Sequence, residues 1–206
     1  AIPRMLGLFE QHHIHATWAA VGFLYCHDRN EALSAAPPER PAYDNHALCP
    51  YRYLEQSTDI DGRYHFAPAL IDLIAATPHQ EIATHTYSHY YCREAGQTAA
   101  TFRADLAAAI RIAATRGITP RSLVFPRNQW HPGYLAILAE HGTTAYRGNE
   151  HGWLYPATDN VGQNAVRRMG RLLDSYINLS GYHTYTLESC ASTPPRVRRT
   201  RSPRSC

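Results

Sequence analysis

Short apolar runs alternate with longer amphipathic segments along most of this chain, and this alternation constrains the fold more than any other feature of the sequence. Apolar residues that recur at the spacing of one helix face predict helices, and Pro or Gly residues mark where several of them begin or end. The apolar runs between them have the length of strands. We predict helices at 3–11, 66–76, 98–116, 133–140 and 166–173, and strands at 14–21, 80–84, 122–125 and 144–146.

Strands that alternate with helices favour β/α units with parallel strands, so the predicted fold class is α/β. The strand at 14–21 reads as buried, because it is almost continuously apolar. A segment from residue 35 to residue 62, rich in proline at its start, is predicted to be a long loop. We expect residues 1–191 to form one domain, and residues 192–206 to be a disordered basic tail that has nothing to bury.

Two histidines four residues apart, His85 and His89, directly follow the predicted strand 80–84. On a helical turn, side chains at this spacing share a face, and two neutral imidazoles can reach one divalent ion at about 2.0–2.1 Å each. The alternative is a pair of surface histidines, since the chain contains 13 histidines. Residues 126–129, which include Arg127, follow the next strand. Because the carboxyl ends of parallel strands share one edge, the two clusters are expected to lie on one rim.

The basic residues are all arginine, and their distribution argues against a nucleic-acid-binding domain. The formal net charge is +3, of which residues 192–206 contribute five positive charges and no negative one, leaving −2 for residues 1–191. Nucleic-acid binding would depend on the tail alone, and it is not the function that we expect. The tail also reads as the product of a frame shift near residue 188, because the strand–helix alternation stops there.

The cysteines and the lengths of the apolar segments predict the redox compartment of the protein and whether it has a membrane segment. Five cysteines without a C-x-x-C pair argue against a disulfide framework or a structural zinc ribbon. They favour a reducing compartment such as the cytoplasm. No apolar stretch approaches the roughly 20 residues that span a bilayer, so no membrane segment is expected.

Several segments together resemble the NodB-homology polysaccharide deacetylases, which are metal-dependent hydrolases with a distorted (β/α) barrel, also grouped as carbohydrate esterase family 4. Residues 81–89, EIATHTYSH, are similar to the E-I-x-x-H-T-x-S-H segment of that family. Residues 2–6 and 15–22 resemble its opening helix and its A-T-F-F-x-x-G strand, and residues 125–129 lie where the family carries an arginine–proline motif. The resemblance covers residues 1–187 and implies a distorted, incomplete barrel.

The resemblance implies a role for individual residues. His85 and His89 would be two of the three protein ligands of a divalent metal, usually Zn²⁺. Arg127 would orient the carboxylate of the general base by a bidentate pair. The alternative for Arg127 is a plain loop arginine, because Pro126 precedes it whereas the family more often has arginine before proline. Asn128 is expected to shape the turn.

The family completes its metal site with an aspartate and uses an adjacent aspartate as general base, both in a T-F-D-D motif before the opening helix; the sequence begins after that point. His183 is the nearest match by order to the family's late general-acid histidine, but its neighbours differ, so we expect a structural or surface role. The implied function is removal of N-acetyl groups from an N-acetylated sugar or polysaccharide. For residues 1–206 we expect weak metal binding and little activity, and the alternative is a catalytically inactive carbohydrate-binding relic.

Overall fold

The computed structural model describes residues 1–58, 60–149, 154–155, 165–181 and 198–201. In these residues α-helices and short 3-10 turns connect the strands of a sheet. The helices are α1 (Ile2–Gln11), α2 (Arg29–Ser34), α3 (Pro50–Gln56), α4 (Pro68–Ala76), α5 (Ala99–Ala114), α6 (Leu135–Glu140) and α7 (Ala165–Ile177). The strands are β1 (Ala16–Ala20), β2 (Gln80–Thr84), β3 (Ser122–Val124), β4 (Ala145–Gly148) and β5 (Arg198–Arg201).

The strands lie in chain order from β1 to β5, and every neighbouring pair is parallel. Each step from one strand to the next passes through at least one helix, as a parallel connection requires. The predicted α/β fold with parallel strands is therefore confirmed. The sheet does not close between β1 and β5 in the described residues, so closure into the expected barrel stays a prediction.

Strand β2, which carries the candidate site, has the predicted bounds, and helix α5 (Ala99–Ala114) lies within the helix predicted at 98–116. β2 spans Gln80–Thr84, and α5 begins directly after Thr98. Thr98 caps the helix: its hydroxyl accepts a hydrogen bond from the backbone N–H of Thr101 at 3.2 Å, and the Thr101 hydroxyl accepts one from the N–H of Thr98 at 3.0 Å. This reciprocal pair satisfies two N–H groups that a helix start leaves without partners.

The loop predicted over residues 35–62 is wrong in part, because it contains helix α3. Pro50 occupies the first turn of α3, where its missing N–H costs nothing. Tyr51 and Leu54, three residues apart, are buried and attach this short helix to the core. A helix of seven residues spans only about two turns, so its apolar period does not stand out in the sequence.

Strand β1 is at the edge of the sheet formed by the described residues, and it is less buried than its sequence suggests. Thr17 and Ala19 are exposed, Trp18 is half-buried, and only Ala20 is buried. The predicted strand is present, but the expectation that it is buried is wrong. Small residues make its sequence look uniformly apolar, whereas one of its faces carries Thr17, whose hydroxyl donates to the Glu81 carboxylate at 2.7 Å.

Two hydrophobic clusters pack the helices on the sheet. In the first, Ile71 and Ile74 of α4 pack with Ile82 of β2. In the second, the ring of Phe102 on α5 stacks on that of Tyr134, with centroids 4.6 Å apart. The first cluster thus packs α4 on β2, and the second packs α5 on β3 and the segment that follows it.

The C-terminal part of the chain departs from the sequence prediction. Helix α7 runs four residues beyond the predicted end at residue 173. Within the tail predicted to be disordered, residues 198–201 form β5, which pairs in parallel with β4. Disorder is therefore wrong for these four residues, because the open edge of β4 offers backbone groups that pair whatever the side chains are. The rest of the tail lies outside the described residues, and the domain division at residue 191 stays a prediction.

Cys26, Cys49 and Cys92 are free thiols, and Cys190 and Cys206 lie outside the described residues. In the part of the chain that the structure describes, no helix combines the length and the apolar character needed to cross a bilayer.

Candidate functional site

Residues 85–89 form a tight turn at the carboxyl end of β2, rather than the helical turn that their spacing allows. Thr86 and His89 have positive φ angles of 66° and 59°, a left-handed conformation that an α-helix does not accommodate. The Thr86 hydroxyl accepts a hydrogen bond from Tyr90 N at 2.7 Å, and the Thr84 hydroxyl accepts one from Thr86 N at 3.0 Å. Threonine hydroxyls thus supply the hydrogen bonds that a helical backbone would otherwise make.

The turn packs directly on the chain that leaves β1, because Gly22 leaves room for it. The N–H of Gly22 donates to Thr86 O at 3.0 Å. A Cβ atom on Gly22 would lie 2.3 Å from Tyr87 Cδ2 and 2.8 Å from Tyr87 Cα, distances that real Cβ atoms do not reach. The Tyr87 hydroxyl also donates to Ala32 O at 2.6 Å. Gly22 therefore permits a close approach that holds the turn on the core.

A buried carboxylate holds the same turn from α5. Asp105 is fully buried, and its carboxylate accepts hydrogen bonds from the N–H of Tyr87 at 2.7 Å and from the hydroxyl of Ser88 at 2.5 Å. Burial raises the pKa of Asp105 to about 6, although the hydrogen bonds from Ser88 and Tyr87 act in the opposite direction. Because both donors lie between His85 and His89, Asp105 fixes the backbone that carries the two imidazoles.

The rings of His85 and His89 lie next to each other, edge to face. Their centroids are 4.8 Å apart and their planes are inclined at 62°. Two imidazoles that bind one tetrahedral zinc at about 2.0–2.1 Å have ring centres roughly 5 Å apart. A second histidine pair is arranged differently. His15 and His79 lie at the amino ends of β1 and β2, and their rings stack with centroids 4.3 Å apart and planes at 3°. Parallel rings do not direct their nitrogens at one point, so only the first pair has the geometry of shared ligands.

A backbone carbonyl sets the tautomer of His85. Its Nδ1 lies 2.7 Å from Val124 O, and since a carbonyl only accepts, Nδ1 carries the proton and Nε2 carries the lone pair. Burial lowers the pKa of His85 to about 4, and the charges of His89 and Arg147 add to that lowering, while the bond to Val124 opposes it. The ring is therefore neutral at physiological pH. A metal-ligating histidine commonly makes this kind of hydrogen bond through its second nitrogen.

Arg127 lies beside His89, across the ring of Tyr91. The guanidinium carbon of Arg127 is 4.6 Å from the centroid of the Tyr91 ring, and that centroid is 5.2 Å from the centroid of His89. Burial, followed by the positive charge of Arg127, lowers the pKa of His89. The structure thus brings Arg127 and the two histidines to one rim. The role of Arg127 in orienting a base carboxylate stays a prediction.

Asn128 shapes the turn after β3 and joins it to β4. Arg127 and Asn128 both have positive φ angles, 51° and 54°, and Asn128 is one of the residues that tolerate this conformation. The Asn128 side-chain oxygen accepts a hydrogen bond from the Arg147 guanidinium at 2.8 Å. Arg147 was missed by sequence reasoning, although it lies near the carboxyl end of the strand after β3, where the same rim argument applies.

Asp105 was also missed. It lies on the buried face of α5 between Phe102 and Leu106, so the signal was a single acid within an apolar helix face. Charged residues are almost never fully buried unless they have partners, and this rule would have marked Asp105 as a residue with a specific task.

The residues present fit two positions of a tetrahedral metal site. His85 and His89 are neighbouring, half-buried imidazoles with lowered pKa values. Among the residues that the structure describes, no group of three or more His, Cys, Asp or Glu side chains could hold a metal ion. Metal binding by His85 and His89 stays a prediction. His183 lies outside the described residues.

Comparison with known proteins assigns most of the chain to one family. The sequence model of the polysaccharide deacetylase family matches residues 1–146. No match was found among curated proteins.

Three solved structures are similar to parts of this chain. A protein from Mycobacterium smegmatis assigned to the polysaccharide deacetylases is 20% identical, with a TM-score of 0.46, and the match covers 71% of this chain and 37% of that one. A CE4 family pseudoenzyme from Bacillus anthracis is 15% identical, with a TM-score of 0.45 and coverage of 72% and 38%. The BpsB deacetylase domain from Bordetella bronchiseptica is 18% identical, with a TM-score of 0.48 and coverage of 73% and 60%. The match thus spans less than two thirds of each of these proteins, and the family assignment rests on the sequence match.

Proposed function

Because this chain belongs to the polysaccharide deacetylase family, we propose that it carries the histidine ligands of a metal-dependent hydrolase that removes N-acetyl groups from an N-acetylated sugar or polysaccharide. Such an enzyme acts on carbon–nitrogen bonds other than peptide bonds. His85 and His89 hold the divalent metal, for which we propose Zn²⁺. The observation that carries the proposal is the close approach of two half-buried imidazoles at the carboxyl ends of the parallel strands, with ring centroids 4.8 Å apart.

The chain prepares these imidazoles for a metal in two ways. The hydrogen bond from His85 Nδ1 to Val124 O reserves Nε2 as the ligand atom. The lowered pKa values of His85 and His89 remove the competition between protons and metal near neutral pH. When bound, a divalent ion would polarise the N-acetyl carbonyl and lower the pKa of a coordinated water.

Arg127 and Arg147 supply positive charge beside the histidine pair. Both lower the pKa of a neighbouring imidazole, Arg127 that of His89 and Arg147 that of His85, so both act electrostatically at this rim. Hydrolysis of an N-acetyl group develops negative charge on the carbonyl oxygen and releases acetate. We infer that the two guanidinium groups favour this anionic charge, and that Arg127 in addition orients the carboxylate of the general base.

Among the described residues, no third His, Cys, Asp or Glu side chain joins His85 and His89 in a group that could hold a metal ion. Two ligands hold zinc less firmly than the three that catalytic zinc sites usually have. We therefore propose that this chain, tested by itself, binds zinc weakly and releases acetate slowly or not at all.

The test is acetate release from N-acetylated chito-oligosaccharides, measured with and without added zinc, for the wild-type chain and for His85→Ala. His15→Ala is the matched control, because His15 belongs to the stacked pair at the amino ends of β1 and β2. Metal-dependent release that is lost in His85→Ala and kept in His15→Ala supports the assignment. Measurable release that is equal in wild type and His85→Ala would show that the reaction does not use this site.

A second candidate function is an inactive carbohydrate-binding relic. The incomplete ligand set of the described residues favours it, and the half-buried ring of Tyr91 beside His89 offers a surface on which a sugar can stack. Oligosaccharide binding that a chelator leaves unchanged, without acetate release at any zinc concentration, would support this function over the hydrolase.

A further inference from the structure

The apolar face of α7 is directed toward solvent. In a soluble domain, the apolar stripe of a surface helix normally packs on the core, whereas five apolar residues at helical spacing on α7 are exposed. The exposed fractions are 78% for Val166, 60% for Met169, 56% for Leu172, 45% for Leu173 and 81% for Tyr176. These five residues are called the α7 stripe below.

A glycine and a buried aspartate attach the other side of α7 to the rest of the protein. Gly170 lies so close to Leu154 that a Cβ atom on the glycine would be 2.8 Å from Leu154 Cδ2. Asp174 is buried, and its carboxylate accepts hydrogen bonds from the hydroxyl of Tyr155 at 2.7 Å and from the hydroxyl of Ser180 at 2.8 Å. Because these contacts fix the inward side of the helix, the folded structure itself holds the α7 stripe outward.

Helix α7 is also basic. It contains three arginines and one aspartate, a formal charge of +2. The aspartate is Asp174, which is buried, so the acid of the helix does not contribute to its exposed face. Arg168 is exposed and borders the stripe, where it lines a shallow cavity of about 430 Å³ together with Ala165, Met169 and Leu172.

We propose that α7 is an interfacial helix that lies in the plane of an anionic phospholipid surface, with the α7 stripe inserted at the boundary of headgroups and acyl chains. Helices that bind in this way combine a wide apolar face, a basic polar face and low overall hydrophobicity, and α7 has all three. Its 13 residues fall short of the roughly 20 that span a bilayer, so it lies on the membrane rather than across it.

A lipid surface fits the α7 stripe better than a second copy of this chain does. The stripe consists of five residues, whereas a stable protein interface involves about 20–30 residues on each partner. Two copies paired through the stripe would also bring two basic helices together. Insertion of a single helix into a membrane surface does not require an interface of that size, and an anionic membrane carries a charge opposite to that of α7. This proposal is independent of the histidine pair.

The experiment is co-sedimentation of the full chain with vesicles. One set is pure phosphatidylcholine, and the other is equimolar phosphatidylcholine and phosphatidylserine. We expect binding to the mixed vesicles that weakens as salt is added, since the charge contribution is screened within a Debye length. The double variant Met169→Glu/Leu172→Glu should lower the partition coefficient at least about tenfold. Arg168→Gln should lower it roughly fivefold, and only on the vesicles that contain phosphatidylserine.

Tyr64→Glu is the matched control, because Tyr64 is an apolar side chain that is 79% exposed outside α7, and we expect its binding to equal that of wild type. Circular dichroism establishes that each variant is folded, and Arg168→Gln, a surface change, keeps the test available if the double variant does not fold. The proposal is overturned if the wild-type chain does not sediment with the mixed vesicles. It is also overturned if the chain sediments and neither the double variant nor Arg168→Gln weakens its binding. Light scattering that shows a dimer which the double variant dissociates, without vesicle binding, would assign the stripe to contact between copies instead.

Discussion

Replacing Asp105 by Asn tests whether a buried carboxylate holds the histidine turn. In the wild-type protein this side chain accepts hydrogen bonds from Tyr87 N and the Ser88 hydroxyl while completely removed from solvent. Asn preserves the shape but removes the charge and one acceptor. We expect the turn to loosen, so that zinc affinity falls even where the global free energy of unfolding changes little, because metal ligands depend on the groups that orient them.

The pH dependence of stability gives this substitution a magnitude and a sign. Burial raises the pKa of Asp105 from 3.8 to about 6 in the folded protein, so the folded state binds the proton more tightly than the unfolded state does. The contribution of Asp105 to the free energy of unfolding is therefore fully present below the pKa of 3.8 that it has in the unfolded chain. It is lost as the pH rises through about 6. Each pKa unit corresponds to about 1.36 kcal/mol, so this rise in the pKa of Asp105 lowers the free energy of unfolding by roughly 2–3 kcal/mol between about pH 4 and about pH 7.

Urea unfolding of wild type and Asp105→Asn, followed by tryptophan fluorescence at these two pH values, measures the effect. We expect the free energy of unfolding of wild type minus that of the variant to be roughly 2–3 kcal/mol more positive at about pH 4 than at about pH 7. Asp72→Asn is the control, since Asp72 is 56% exposed and pairs with Arg116 at the surface, where such pairs contribute about 0–1 kcal/mol. A difference that is constant with pH, or that grows toward neutral pH, would refute the reasoning.

Two further predictions follow from the geometry of the turn and of its imidazoles. Gly22→Ala should lower the free energy of unfolding, measured in urea, by about 1–3 kcal/mol, because its Cβ would overlap Tyr87. Gly7→Ala, whose Cβ would meet nothing within 4 Å in a helix, should instead raise it by about 0.5–1 kcal/mol. Equal effects of the two substitutions would contradict the close approach of Gly22 to Tyr87. Zinc affinity should fall less than about tenfold between about pH 7.5 and about pH 5.5, because the pKa of His85 is lowered to about 4 and that of His89 is also lowered. Two ordinary imidazoles would lose about a hundredfold in a calorimetric titration over this range, and that result would contradict the lowered pKa values.

The sequence predicted the elements whose patterns are local. β2 is bounded by its apolar run, α5 by its threonine cap and helical period, and the parallel arrangement follows from their alternation. The shared rim of His85 and Arg127 was predictable for the same reason, since parallel strands place their carboxyl ends on one edge.

What the sequence did not reveal depends on contacts between distant segments. Asp105 bonds Ser88 of the histidine turn from 17 residues away in the chain, and Arg147 reaches Asn128 from the next strand. Neither contact leaves a periodic signal in the sequence. The edge position of β1 is a property of the whole sheet rather than of its own residues. The inverted orientation of α7 is likewise set by contacts of Gly170 and Asp174, against the pattern that amphipathicity predicts.

A calorimetric zinc titration near neutral pH of wild type, the double variant His85→Ala/His89→Ala and the double variant His15→Ala/His79→Ala tests the central claim most directly. The two pairs are matched, since both bring ring centroids within 5 Å, but the ring planes of the first pair are inclined to each other and those of the second pair are parallel. We expect weak one-to-one binding by wild type, the same binding without His15 and His79, and none without His85 and His89. Binding that survives removal of His85 and His89, or that disappears with the stacked pair, would contradict the account.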